Sequence, residues 1–478
     1  MRTIAIIGGG FCGTMVAVNL ARIAEAPLRI ILINSNRPMA RGAAYSTRQP
    51  EHLLNVLAAN MSAFPDHPSH FVDWLQTRSE YVDFPKSTLR EMFIPRTIYG
   101  DYLCNLLFSY SRQIGDAGRV KIDIVEENAI DILDADEMGP TVILANGDRI
   151  VADQILLATG NQAPAPFHGP NETFTHPAYC PDPWSRWENA LPDGGNIILL
   201  GTGLTMVDIF LSLNARAWKG NIIAISRHGR VPMSHFRFTD RSDDLIDPDD
   251  SPSLSVLLQI VKQHCLSMRK VGQNPTITIN KLRPHIQRLW KGLSIADKEE
   301  FLKNYASQWN VVRHRIPESV HRQLSDAIAN GRLRILQGTV VELRPRENGV
   351  AVVGLHEGTE FIQEGAYVIN CTGPQSRISE TADPLLSSLL RSGLARTDPL
   401  DLGIDISTKF AVIGQDGTES EFLFAIGPLL KGTLWETTAV PELRVQAFNV
   451  AQILAGSSCH SSIQISPQSI SEAIEYYI

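Results

Sequence analysis

Two glycine-rich turns carry the clearest chemistry in this chain of 478 residues. The first reads Gly8-Gly9-Gly10-Phe11-Cys12-Gly13 and follows an apolar run at residues 4–7. Gly8 permits a tight turn, Gly10 lets backbone N–H groups approach a diphosphate, and Gly13 lets the next helix pack closely; the helix N-terminus adds a favourable dipole. That is dinucleotide chemistry, with Phe11 and Cys12 supplying further amides. Asn34, with Ser35 beside it, ends the next apolar strand, where an Asp or Glu usually bonds both ribose hydroxyls; Asn brings one acceptor oxygen and no charge. The second turn reads Gly201-Thr202-Gly203-Leu204-Thr205-Met206, with Met206 in the third-glycine position. Arg227 and Arg230 come after its second strand, where guanidinium groups could grip a 2′-phosphate, which favours NADPH over NADH. Solvated surface side chains are the plain alternative for both arginines.

Such turns work only if a buried strand precedes them and a helix follows. Residues 4–7, a helix through Val16, Leu20 and Ile23, and residues 30–33 read as one βαβ-like unit; residues 197–200, a helix over 207–213 and residues 222–225 read as a second. Each is followed downstream by a hairpin-like pattern and an apolar strand ending in Thr-Gly, first Thr159-Gly160 and later Thr372-Gly373. Pro164, Pro166, Pro181 and Pro183 punctuate a linker near residues 162–190. Residues 240–252 read as an acidic surface loop, and helical periodicity runs over 254–329. The expected architecture is α/β, with two Rossmann-like dinucleotide-binding domains, the second inserted in the first, plus a helical insertion. Its expected divisions are 1–165 (first part of the first dinucleotide-binding domain), 190–235 (second dinucleotide-binding unit), 236–330 (helical insertion) and 331–478 (return of the hairpin and of the first domain).

Composition narrows the class. Hydrophobic residues are 44% and charged residues 20%, the values of a folded globular chain. Lys plus Arg number 43 against 51 Asp plus Glu, a net charge of −8, with no basic run to serve nucleic acid. No apolar run approaches the roughly 20 residues needed to span a bilayer. The N-terminus runs straight into glycines without a secretory pattern, so a cytoplasmic protein is expected. Six cysteines lie far apart without a C-x-x-C, which argues against a disulfide framework, a zinc site and a dithiol redox mechanism. No metal site is expected, since His264, His285 and His314 lack ligand spacing.

The chain resembles the two-dinucleotide-binding flavoproteins, and more closely a family of FAD/NAD(P)-binding proteins beside the N-hydroxylating class B flavin monooxygenases. The matching segments are residues 41–47, 52–56 with 61–65, 96–103, 309–316 and 427–444. The resemblance implies that Gly8, Gly10 and Gly13 cradle FAD, and that Thr159-Gly160 closes over its adenine side. It further implies that residues 52–64, with Asn55, Met61 and Ser62, lie near the flavin ring. Arg41 and Arg96 fall among the implied cofactor contacts, and Thr372-Gly373 takes the matching place in the NADPH unit. Related flavoproteins carry Ile-Gly-Asp late in the chain; here Pro428 replaces the Asp, so contacts would come from Gly427, Leu429 or later amides. Asn55, Trp435 and Glu436 form the implied catalytic set, with core packing for Trp435 and loop capping for Asn55 as open alternatives.

With no dithiol to receive electrons, oxygen, a small substrate or a partner protein remains as acceptor. The favoured reading is an FAD-dependent, NADPH-using monooxygenase that N-hydroxylates a small amine or amino acid. Arg96 or Arg313 are possible grips on a substrate carboxylate, against structural salt-bridge roles for both. Two rivals stand beside it: a flavin reductase or dehydrogenase without oxygen insertion, and a non-catalytic redox-sensing protein.

Overall fold

The computed structural model describes residues 1–35, 37–112, 119–136, 139–169, 173–236, 245–247 and 250–456. Cys459 and much of the expected acidic loop at 240–252 lie outside them. Two mainly parallel sheets organise the chain. The first has six strands in the order Ala411–Ile413, Glu419–Ala425, Gln154–Leu157, Arg2–Ile7, Leu28–Ile33, Val120–Val125, with only the outer pair antiparallel. The second runs Leu333–Gln337, Ile222–Ser226, Ile197–Leu200, Tyr367–Asn370, Tyr179–Cys180, all parallel.

Parallel strands are covered on both faces and therefore read as continuous apolar runs. Alternation across the strand assigns each residue to a layer. Ile4 and Ile6 pack toward the helices Phe11–Ile23, Arg96–Ser111 and Val440–Ala455, whereas Ala5 and Ile7 face the meander of strands Ala129–Asp136, Gly139–Leu144 and Arg149–Val151 and the helix Pro384–Ser392. The second sheet repeats the scheme. Ile197 and Leu199 face the helices Leu204–Ala215 and Glu318–Ala329; Ile198 and Leu200 face the meander of Thr339–Arg346, Gly349–His356 and Thr359–Gly365. Each such isoleucine or leucine, fully buried, contributes about 1.5–3 kcal/mol of transfer free energy.

The sheet membership corrects the expected divisions. Leu333–Gln337 and Tyr367–Asn370 belong to the second sheet, so that unit runs on to residue 370 instead of ending near 235, and the first unit returns only afterwards. The stretch expected as one helical insertion over 236–330 also divides. Helices between Leu254 and Arg313 stand apart around Trp290, while Glu318–Ala329 buries Val320, Leu324 and Ala327 against the second sheet as its crossover helix. Local periodicity records a helix but not the sheet it covers.

Candidate functional site

Both glycine turns lie at the carboxyl ends of their parallel strands, where open α/β sheets receive ligands. Gly8 adopts φ +112°, and a Cβ there would collide with the carbonyl of Ala158. Gly201 also adopts φ +112°, and a Cβ there would collide with the carbonyl of Cys371. Gly8 N–H donates to Ile33 O at 2.8 Å, and Gly201 N–H to Ile225 O at 2.7 Å. The helices begin alike: Thr14 N–H reaches Gly10 O at 3.0 Å and Val207 N–H reaches Gly203 O at 3.2 Å. The preceding amides, Phe11 to Gly13 and Leu204 to Met206, therefore sit in the first turn, where N–H groups have no intrahelical partner and anions are favoured.

The copies differ at the third position. A Cβ on Gly13 would collide with Gly8 O, so the first helix presses against its own turn. Met206, fully buried, keeps the second helix from matching that approach. The residue ending each second strand pins the turn. Asn34 Oδ1 accepts from Gly9 N–H at 3.1 Å while its Nδ2 donates to Arg37 O at 2.9 Å. In the second unit Ser226 Oγ lies 2.8 Å from Thr202 Oγ1. Asn34, expected at the ribose, thus spends both ends of its amide on the loop; Ser35 bonds Asn128.

The fit of a dinucleotide shows most clearly at the Thr-Gly strand ends. Thr159 Oγ1 is buried and has no hydrogen-bond partner among the described residues. In the second unit Thr372 Oγ1 donates to Asn370 Oδ1 at 2.7 Å. An unmade buried hydrogen bond costs about 1–3 kcal/mol, and a ligand hydroxyl or phosphate at the first cradle would remove that cost. Beyond the second cradle, Arg227 and Arg230 are exposed, with no side-chain partner among the described residues.

The late segment closes the first site. Gly427, φ +81°, packs on Cys12, and Thr437 Oγ1 donates to Gly427 O at 3.0 Å. The short helix Gly427–Leu430, holding Pro428 and Leu429, follows the strand Glu419–Ala425 beside the first cradle. Burial pushes the Cys12 thiol up to about 12, leaving it a packing group and not a nucleophile.

Other expected contacts are committed to the protein. Arg41 pairs with Asp101 and donates to Thr97 O at 3.1 Å. Met61 is buried, and Ser62 Oγ donates to His67 O at 2.7 Å. Arg96 Nη1 lies 2.6 Å from Asp208 Oδ2, the salt-bridge arrangement weighed for it as an alternative. Trp435 stacks on Trp290, with centroids 4.7 Å apart, inside the aromatic cluster of the helical insertion, so its place is a core one.

Glu436 sits at φ +64°, uncommon for a residue with a side chain. Its Oε1 accepts from Trp309 Nε1 at 2.7 Å, and its Oε2 lies 3.2 Å from Arg313 Nε. Burial alone would raise its pKa, but Arg313 and His314 more than offset this and hold it below the usual carboxylate range. Arg313, only 11% exposed, is thus tied to Glu436 and, at 3.7 Å, to Glu442. Asn55 O accepts from His235 Nε2–H at 2.9 Å. Burial, joined by Arg315, Arg313 and Arg283, pushes His235 down to about 4, so it is neutral near pH 7.

Sequence reasoning missed Asp208 and His235. Asp208 carried a usable signal, as the one charged residue within the apolar run 206–211. A narrow crevice lined by Leu53, Asn55, Arg96, Leu204, Asp208 and Val320 lies between the two units, so the second cradle opens toward residues 52–56.

The paired cradles define a fold of two dinucleotide-binding-type α/β units. Residues 5–162 match the family model described as FAD-NAD(P)-binding, about a third of the chain. The uncharacterized protein YdhS of Escherichia coli is 24% identical over 263 residues, 49% of this chain and 47% of that protein, so the match spans about half of that relative's length. Ornithine N-hydroxylase KtzI of Kutzneria sp. 744 has a similar structure, with a TM-score of 0.67 at 13% identity over 96% of this chain and 100% of its own. Ornithine hydroxylase PvdA of Pseudomonas aeruginosa gives 0.63 at 15% over 95% and 99%, and L-lysine 6-monooxygenase of Pseudomonas syringae gives 0.59 at 18% over the full length of both. At these identities the likeness is one of fold. No helix among the described residues is long and apolar enough to cross a membrane.

Proposed function

We propose that this chain is an FAD-dependent oxidoreductase reduced by NADPH, acting as a monooxygenase on a small amine or amino acid. The observation that carries the reading is the matched pair of cradles, one with the buried hydroxyl of Thr159, the other backed by the guanidinium groups of Arg227 and Arg230, all three without a side-chain partner among the described residues. Solved structures of like fold include ornithine and lysine hydroxylases, which supports the reaction class.

In this reading the amides of residues 10–13 hold the FAD diphosphate, and Thr159 Oγ1 gains its partner from the nucleotide. The amides of residues 203–206 hold NADPH, and Arg227 and Arg230 grip its 2′-phosphate. Bound FAD supplies the two-electron and oxygen chemistry that side chains lack. The protein binds, orients and excludes water: Asn55 and Leu204 flank the crevice, and neutral His235 fixes the Asn55 backbone. The reaction balances as amine, O2, NADPH and a proton giving hydroxylamine, water and NADP+. A cytoplasmic setting, with NADPH at hand, suits it.

The test follows NADPH oxidation, peroxide release and product mass across a panel of small amines and amino acids. An amine that gains one oxygen atom while peroxide falls is the expected result. Peroxide equal to NADPH consumed, whatever the amine, would reduce the protein to a reductase without insertion; failure of both nicotinamides to reduce the flavin would remove the class.

A further inference from the structure

The two units are joined by a buried polar clasp that the glycine motifs do not foreshadow. Arg96 Nη1 meets Asp208 Oδ2 at 2.6 Å, with the two side chains 12% and 7% exposed. The same guanidinium donates through Nε to Leu53 O at 3.0 Å. His52 Nε2 donates to Asp208 O and lies 2.9 Å from Ser212 Oγ, while its Nδ1 faces the Thr47 hydroxyl at 2.8 Å. Arg96 and His52 belong to one body, because Arg96 N–H donates to His52 O at 2.8 Å and Leu54 N–H to Ile94 O at 2.8 Å. Asp208 and Ser212 belong to the helix that begins at the second cradle.

We propose that Arg96, Asp208, His52 and Ser212 form a clasp that sets the angle between the two cradles, making Arg96 and Asp208 positioning residues for electron transfer from NADPH to FAD. A charge pair this well buried has no solvent to replace a lost partner, so it tolerates one geometry and opposes sliding or rotation of the second unit. The clasp stands at the crevice that Asn55 and Leu204 line, and the rate of transfer there depends steeply on placement. The inference rests on the proposed reduction by NADPH, yet its geometry is measurable without turnover.

The experiment compares the FAD-loaded wild type with Asp208→Asn by stopped-flow flavin reduction under nitrogen and by amide hydrogen exchange without nicotinamide. The expected result is a limiting rate lowered by about tenfold or more. Half-saturating NADPH should stay within about twofold, since the 2′-phosphate grip lies elsewhere. Exchange should be faster in residues 52–56 and 204–212 and unchanged around Gly8. Asp208→Glu, which keeps the charge, should recover part of the rate. An Asp208→Asn protein with wild-type rate and wild-type exchange overturns the clasp, as does a loss confined to NADPH affinity. A wild type that NADPH never reduces sinks the functional reading instead, and exchange alone then decides the clasp. Should Asp208→Asn not fold, Ser212→Ala, which removes only the hydroxyl beside His52, is read in the same two ways at smaller amplitude.

Discussion

Gly8 and Gly201 share one backbone conformation, φ +112°, and each turns its missing side chain toward the carbonyl that ends the neighbouring strand, Ala158 in one unit and Cys371 in the other. The repeat is therefore one of backbone geometry as well as of composition. It separates the two nucleotides experimentally. Gly8→Ala should lose FAD, because the strained turn costs about 1–3 kcal/mol and the methyl displaces the adjoining backbone. Gly201→Ala should keep FAD and lose its response to NADPH. Absorbance of the purified variants, before and after NADPH, distinguishes the outcomes; loss of flavin from Gly201→Ala alone would reverse the assignment.

Arg227 and Arg230 should set the choice of nicotinamide. A hydrogen bond to a charged group contributes about 1.5–3 kcal/mol, so replacing either with Ala should raise half-saturating NADPH by about tenfold or more. NADH, without the 2′-phosphate, should be used unchanged. Equal effects on the two coenzymes would remove both arginines from the phosphate site.

His235 should leave a mark on stability as pH falls. Its folded-state value is pushed down to about 4 from an ordinary 6.5, chiefly by burial. As pH drops through 6.5 the unfolded chain takes up a proton that the folded chain refuses, so its contribution is complete above 6.5 and is lost progressively toward pH 4. His235→Gln should flatten that part of the profile, measured by denaturant unfolding between pH 7 and pH 4. A profile that keeps its full slope would show that other groups carry it.

Glu436 works in a lower window. Its folded value is depressed, by Arg313 and His314 against the opposing effect of burial, so its contribution is present above the ordinary carboxylate range and fades as pH falls below it. Glu436→Gln leaves Arg313 with Glu442 as its remaining ion-pair partner and should cost about 1–3 kcal/mol at pH 7. Thermal unfolding of wild type and variant should converge as pH drops below about 4. A constant gap down to low pH would assign the loss to packing.

Much of the cradle was legible because it is local. A buried strand, a glycine forced into positive φ and a helix start lie within a dozen residues, and the requirement for glycine at 8 and 201 is steric. What was illegible is long-range. Leu333–Gln337 pairs with Ile222–Ser226 across the whole helical stretch, and nothing in either strand names its partner. A salt-bridge role for Arg96 is legible as an alternative, but nothing in its own segment names Asp208 as the partner. Trp435 stood in a run matched by family resemblance, yet its surroundings are set by Trp290 and Phe301, far earlier in the chain. The contrast between Thr159 and Thr372 is again local: Asn370, two residues before Thr372, satisfies its hydroxyl, whereas Leu157 holds the matching place before Thr159, whose Oγ1 has no partner among the described residues.

The most direct measurement is the visible spectrum of the purified protein under nitrogen, before and after NADPH. A yellow protein with flavin bands that bleach on addition of NADPH is the expected result. A colourless chain that takes up no added FAD, or a yellow one that NADPH leaves unchanged, would contradict the central claim.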